Sequence, residues 1–130
     1  MKATELMIGD WVKPKNSAWP FKVSGISMEG VTKESSNYYK CDEIEPISLT
    51  AEILEKNGFE KVLDNNKIPT YRIKWPPNSN YYFTILTGVD CYWNFDGYAM
   101  AVGAVQGKID YVHQLQHALR ICGIKKEIII

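Results

Sequence analysis

The chain has 130 residues, enough for one domain with a real core or two small modules sharing one, and too few for three. Its hydrophobic fraction of 45% and charged fraction of 23% are those of an ordinary globular protein, and fifteen basic residues balance fifteen acidic ones, which excludes a net field drawing it to nucleic acid or an anionic membrane. No stretch approaches the roughly 18 apolar residues of a membrane span and the first residues lack a signal-length apolar run, so a cytoplasmic protein with no membrane partner is expected.

Residues 6–47 read as a run of short strands. Gly9-Asp10 precedes Trp11-Val12-Lys13, Phe21 to Ile26 follows the Trp19-Pro20 break, and Glu29-Gly30 turns the chain into Val31-Thr32-Lys33, where Gly30 is expected to supply the positive φ of a hairpin turn. Tyr38 to Cys41 and Ile44 to Ile47 complete the set. So many short strands in so few residues suit a small closed barrel, whose curvature removes free edges.

Leu6-x-Ile8-Gly9-Asp10-Trp11-Val12, followed by Lys22-Val23-x-Gly25-Ile26 and Gly30-Val31, resembles the small Src-homology-3-like barrels of the Tudor and KOW type, in which Gly-Asp opens the first strand. The resemblance implies a fold for residues 1–47 and no particular ligand.

Thr50 is placed to cap a short helix over 51–57, with Glu52 in the first turn and Gly58 as the stop. Ile53, Leu54 and Phe59 are its core residues. Strands are then expected near 59–64, 70–75, 81–87, 91–95 and 98–105. Tyr71, Ile73 and Trp75 alternate with Arg72 and Lys74, the pattern of a sheet with one wet face. Asn65-Asn66 and residues 76–80 mark loops, and Asp96-Gly97 is the strongest hairpin signal.

A final helix is expected over about 108–122, stopping at Gly123. Val112, Leu115, Ala118, Leu119 and Cys122 project onto one side of it and His113 and His117 onto the other. The fold class is therefore α+β, a β-barrel module over 1–47 followed by an antiparallel sheet with two helices over 48–130. Because 47–50 leaves almost no linker, close packing of the two modules is expected. The closing Ile128-Ile129-Ile130 would be an aggregation hazard as a free edge and should pair in a sheet or be buried.

The whole chain also resembles a group of small proteins from anaerobic gut bacteria often found near mobile or prophage-like genes, through Leu49-Thr50, Ile53-Leu54, Asn57-Gly58-Phe59 and above all Tyr111-Val112-His113-Gln114-Leu115-Gln116. That resemblance supplies a bacterial context and no catalytic residues.

Chemistry is sparse. His113 and His117 stand one helical turn apart, a spacing that lets two imidazoles share a metal ion, but the residue after the first is Gln114 where a zincin needs a glutamate base. A third ligand would have to come from Asp110 or another chain. Cys41, Cys91 and Cys122 are odd in number and form no Cys-x-x-Cys pair, which fits reduced, packed thiols. Asp90-Cys91 is a poor activated thiol, since a neighbouring acid raises the thiol pKa.

The aromatic set Tyr71, Trp75, Tyr81, Tyr82, Phe83, Tyr92, Trp93, Phe95 and Tyr98 could stack bases beside Arg72 and Lys74 if several rings were exposed, but alternation assigns at least half to the core. The expected function is a non-catalytic binding or adaptor protein whose partner is another protein. Its surfaces would be a groove around Trp11, Trp19, Tyr38 and Tyr39 and the outer face of the last helix, with Arg72 and Lys74 as further binding residues and no cofactor. A nucleic-acid-binding accessory protein of a mobile element is the second class, and a metal-dependent enzyme using His113 and His117 the third.

Overall fold

The computed structural model describes residues 1–34, 37–63, 67–87, 92–95 and 105–130. It is an α+β protein with two compact units, Met1–Ser48 with Tyr111–His113, and Leu49–Asp110 with Gln114–Ile130. The expected turn at Asn65-Asn66, the hairpin at Asp96-Gly97, Tyr98 and Cys91 lie outside the described residues.

In the first unit six short strands follow one another: β1 (Trp11–Pro14), β2 (Phe21–Lys22), β3 (Gly25–Ile26), β4 (Gly30–Thr32), β5 (Tyr38–Lys40) and β6 (Ile44–Pro46). Hydrogen bonding groups them into two antiparallel three-stranded sheets, β2-β1-β6 and β3-β4-β5, rather than one closed barrel. Single residues from the strands and the segments beside them build the core: Leu6, Val12, Phe21, Val23, Val31 and Ile44 are buried, with Met1 and Tyr39 packed on them. Neighbours on each strand point the other way, as the pleat requires. Thus Trp11 and Lys13 flank the wholly buried Val12 and make cross-strand partners at the surface, Lys22 Nζ lying 5.3 Å from the Trp11 ring centre and Lys13 Nζ 2.9 Å from Glu45.

Entry into β1 depends on Gly9, whose φ of 93° is open to glycine and strained for other residues. The turn brings Asp10 into the interior with no exposed surface, where its carboxylate accepts the Met7 N–H at 2.7 Å. Gly30 works differently from expectation. It has no positive φ; instead a Cβ there would run into the Tyr39 carbonyl oxygen and lie 2.7 Å from the Tyr38 hydroxyl. The absent side chain is needed for close approach, because Tyr38 leans over this position from the neighbouring strand.

The second unit contains α1 (Ala51–Lys56) and a five-stranded antiparallel sheet in the order β11-β10-β9-β8-β7, with β7 (Glu60–Leu63), β8 (Pro69–Lys74), β9 (Tyr82–Leu86), β10 (Tyr92–Phe95) and β11 (Val105–Lys108). Helix α2 (Val112–Ile121) follows. The Thr50 hydroxyl accepts the Ile53 N–H at 3.3 Å, the cap expected for α1. Both helices end in Schellman turns. Phe59 N–H reaches Leu54 O past Gly58 (φ 83°), and Ile124 N–H reaches Leu119 O past Gly123 (φ 71°). In each case the two side chains so joined are buried, which sets the direction in which the chain leaves the helix.

Two element boundaries differ from the sequence expectation. The last strand covers Val105–Lys108 and so continues past the expected end at 105, while residues 98–104 lie outside the described set. Helix α2 therefore begins at Val112 and not near 108: Gly107 and Lys108 pair with Trp93 and Tyr92, and Asp110 N–H donates to the Gln114 side chain at 2.7 Å, closing the helix start. Ladder hydrogen bonds to β10 outweigh the helical pattern that continues backwards into these residues. Gly107 has a packing reason to lack a side chain, since a Cβ would meet the Trp93 indole nitrogen at 2.7 Å.

Candidate functional site

Alternation along β8 and β9 sorts the sheet into two faces. Tyr71, Ile85 and Trp93 form one cross-strand row of the inner face and Ile73 and Phe83 the next; Phe83 stacks on Trp93 with ring centres 5.5 Å apart and meets Phe59 edge-on at 6.3 Å. Tyr71, Phe83 and Trp93 are buried and so are core, whereas Tyr81 is 39% exposed and Tyr82 stands on the other face with Thr70, Arg72, Lys74 and Thr84. The side chains of Tyr92 and Phe95 lie outside the description.

On that outer face Arg72 sits over the Tyr82 ring with its guanidinium carbon 4.3 Å from the centre, and its Nε donates to Glu60 at 3.2 Å. Lys74 Nζ is 5.8 Å from the same ring. A concavity of about 320 Å³ opens here, lined in part by Arg72, Asn80, Tyr81, Tyr82 and Thr84. Arg72 and Lys74, both named from the sequence, are thus brought together on one aromatic ring.

The groove residues of the first unit separate. Trp19 is 81% exposed and Tyr38 47%, but Tyr39 turns inward and stacks on Phe21 at 5.1 Å, because adjacent residues of β5 face opposite ways. A different surface is apolar. Met1, Lys2, Ala3, Thr4, Ile26, Ser27, Met28 and Cys41 line a groove of about 560 Å³, in which Met28 is 96% exposed. The hairpin places it there: Ser27 N–H donates to Gly30 O at 2.9 Å, leaving Met28 and Glu29 at the tip, and Cys41 N–H bonds back to Glu29 O. The sequence carried one usable signal, the aliphatic Met28 standing directly before the Glu29-Gly30 turn, where a loop tip is exposed.

Helix α2 corrects the placement of His113. It is buried, 5% exposed, and its ring stacks on Tyr111 with centres 5.8 Å apart, while His117 is half-buried. Gln116, also off the apolar stripe, is 8% exposed, so the first two turns are covered on more sides than the stripe predicts. On the outer face expected as a binding surface, Arg120 and Ile121 are exposed and Gln114 and His117 half-buried. Among the described residues no group of three or more His, Cys, Asp or Glu side chains could hold a metal ion.

Cys122, on the same helix end, has its thiol pushed up to about 11 by burial. The folded protein therefore holds the thiol proton more tightly than the unfolded chain. This contribution to stability is complete below the unfolded thiol pKa of about 9 and is lost as pH rises towards 11. At about pH 8 Cys122 should be alkylated by iodoacetamide on the order of a hundredfold more slowly than in the urea-unfolded chain, since only the thiolate reacts. Equal rates in the two states would show the thiol to be open.

Comparison with protein families, with curated proteins and with solved structures gives no match for this chain. Among the described residues no helix is long and apolar enough to cross a membrane.

Proposed function

We propose that the chain is a non-catalytic binding protein that holds an extended apolar segment of another protein in the groove of its N-terminal unit. The observation that carries this reading is Met28, 96% exposed at a hairpin tip beside Ile26, at 39%, over a mainly apolar groove. Large aliphatic groups held in water are stabilised by burial, about 1.5–3 kcal/mol for a whole side chain, and a partner can supply that burial. Strand β3, which carries Ile26, is an edge of its sheet, where an added strand can dock.

The unit is read as a Src-homology-3-like barrel of the open kind. Supporting this are the antiparallel pairing of β1 with β2 and of β3 with β4 and β5, the return of β6 to β1, the passage from one sheet to the other between β2 and β3, and the 3₁₀ turn at Cys41–Glu43 just before β6. Barrels of this build serve as recognition modules on many unrelated proteins, so the residues of the groove and not the fold carry the assignment.

The test is selection of peptides from a random display library on the full chain, followed by titration of synthetic hits. Hits rich in aliphatic residues are expected, with affinity at least about tenfold weaker for the Met28→Asp and Ile26→Asp double variant and unchanged for Ile121→Ser, an exposed site of the other unit. An empty selection, or hits that bind the double variant as well as the parent, would refute the groove.

A further inference from the structure

The wet face of the five-stranded sheet has an organisation that peptide binding at the first unit does not use. Register alone places its side chains. Glu60, Arg72, Thr84 and Asn94 form one cross-strand row; Val62, Thr70 and Leu86 form the next, which the backbone ladder continues across β10 to Lys108; Lys74 and Tyr82 form a third. Among the described residues Arg72, Lys74 and Lys108 therefore share the face with the Glu60 carboxylate, and a second acid, Asp110, approaches Lys108 at 3.8 Å. Among the described residues the face carries a small excess of positive charge, although the chain is neutral.

Its centre is an aromatic ring already held in place. Tyr82 has Arg72 at 4.3 Å and Lys74 at 5.8 Å, and the adjoining concavity of about 320 Å³ brings Asn80, Tyr81, Thr70 and Thr84 to the same point. A ring fixed by cations loses little freedom on stacking with a ligand, and amide and hydroxyl groups beside it can hydrogen-bond a planar heterocycle along its edge. Lys108 lies three strand spacings from β8, roughly 14 Å, a distance spanned by about two nucleotides of extended backbone.

We infer that this open sheet face binds single-stranded nucleic acid, with one base on Tyr82 in the Arg72–Asn80 concavity and the phosphates running past Lys74 and Lys108. Stacking supplies most of the affinity and the cations position the strand, because the face carries few net charges. A duplex offers no unstacked base and meets only the cations. An acidic peptide would use the lysines and leave Tyr82 idle.

The experiment is fluorescence anisotropy of labelled oligothymidylate and oligouridylate, a matching duplex and an oligoglutamate peptide, each titrated with the full chain over a range of salt. Single strands are expected to bind in the micromolar range at low salt and at least about fivefold more tightly than duplex or peptide. Tyr82→Leu should weaken single-strand binding by about fivefold or more with the salt dependence retained, whereas Lys74→Glu with Lys108→Glu should weaken it about tenfold and flatten that dependence. All these positions are at the surface, and the melting curve of each variant confirms its folding. A preference for uridylate over thymidylate would identify RNA as the source of the ligand. Absence of binding at low salt, equal or tighter binding of duplex or peptide, or indifference to Tyr82→Leu would each overturn the inference.

Discussion

Phe83→Ala is expected to cost about 4 kcal/mol of stability, within the range of 3–5 kcal/mol found when a buried phenylalanine is truncated. The residue is wholly buried in the middle strand of the five, stacked on Trp93, edge-on to Phe59 and directly across from Ile73. Removing the ring deletes its transfer energy and leaves a void beside Trp93 and Phe59. Against a total stability of about 5–15 kcal/mol this is a large share. Urea unfolding followed by tryptophan fluorescence measures it. Tyr82→Ala, one residue away on the wet face, should cost about 1 kcal/mol or less. Similar losses at the two sites would mean that the inner and outer faces have been wrongly assigned.

The second large effect is at Asn57, where Asn57→Ala should cost about 3 kcal/mol, near 1 kcal/mol for each of three lost hydrogen bonds. Asn57 is 5% exposed at the end of α1. Its amide nitrogen donates to Ile53 O at 2.8 Å and to Ile129 O at 2.7 Å, and its amide oxygen accepts Ile129 N–H at 2.8 Å. The side-chain amide thus serves the C-terminal tail as a neighbouring strand would, satisfying both backbone groups of one residue. That anchor seats Ile128, 1% exposed, while Ile129 remains 57% exposed. The tail docks on its own chain, so the variant's melting point should fall equally at every protein concentration, and carboxypeptidase should trim the last three residues faster than in the parent. A loss confined to dilute protein would show instead that the tail is held by a second chain.

Much of this architecture was legible in the chain itself. Capping chemistry is local: Thr50 with Ile53, and Gly58 and Gly123 as helix stops, depend on residues within a turn of one another, and the sequence contains all of them. Period-2 alternation from Tyr71 to Lys74 separated the wet face from the dry one, since the pleat allows no other outcome once strand pairing is given. Charge balance and the α+β class likewise follow from composition and pattern.

Other features were decided by contacts between residues far apart in the sequence. Helix α2 starts at Val112 because β10 claims Gly107 and Lys108, and no helical projection contains that competition. His113 lies off the apolar stripe and is nevertheless buried, since periodicity describes one helix and burial depends on everything packed around it. Gly30 is required by a tyrosine eight residues on, and Gly107 by a tryptophan fourteen residues back, two steric needs that only the folded register creates. The Asn57 clasp on Ile129 spans 72 residues. Which groups could cap, pair or stack was set locally, because those capacities belong to individual side chains and their near neighbours; which of them meet was set by the fold, because burial and close approach belong to pairs that the chain brings together only on folding.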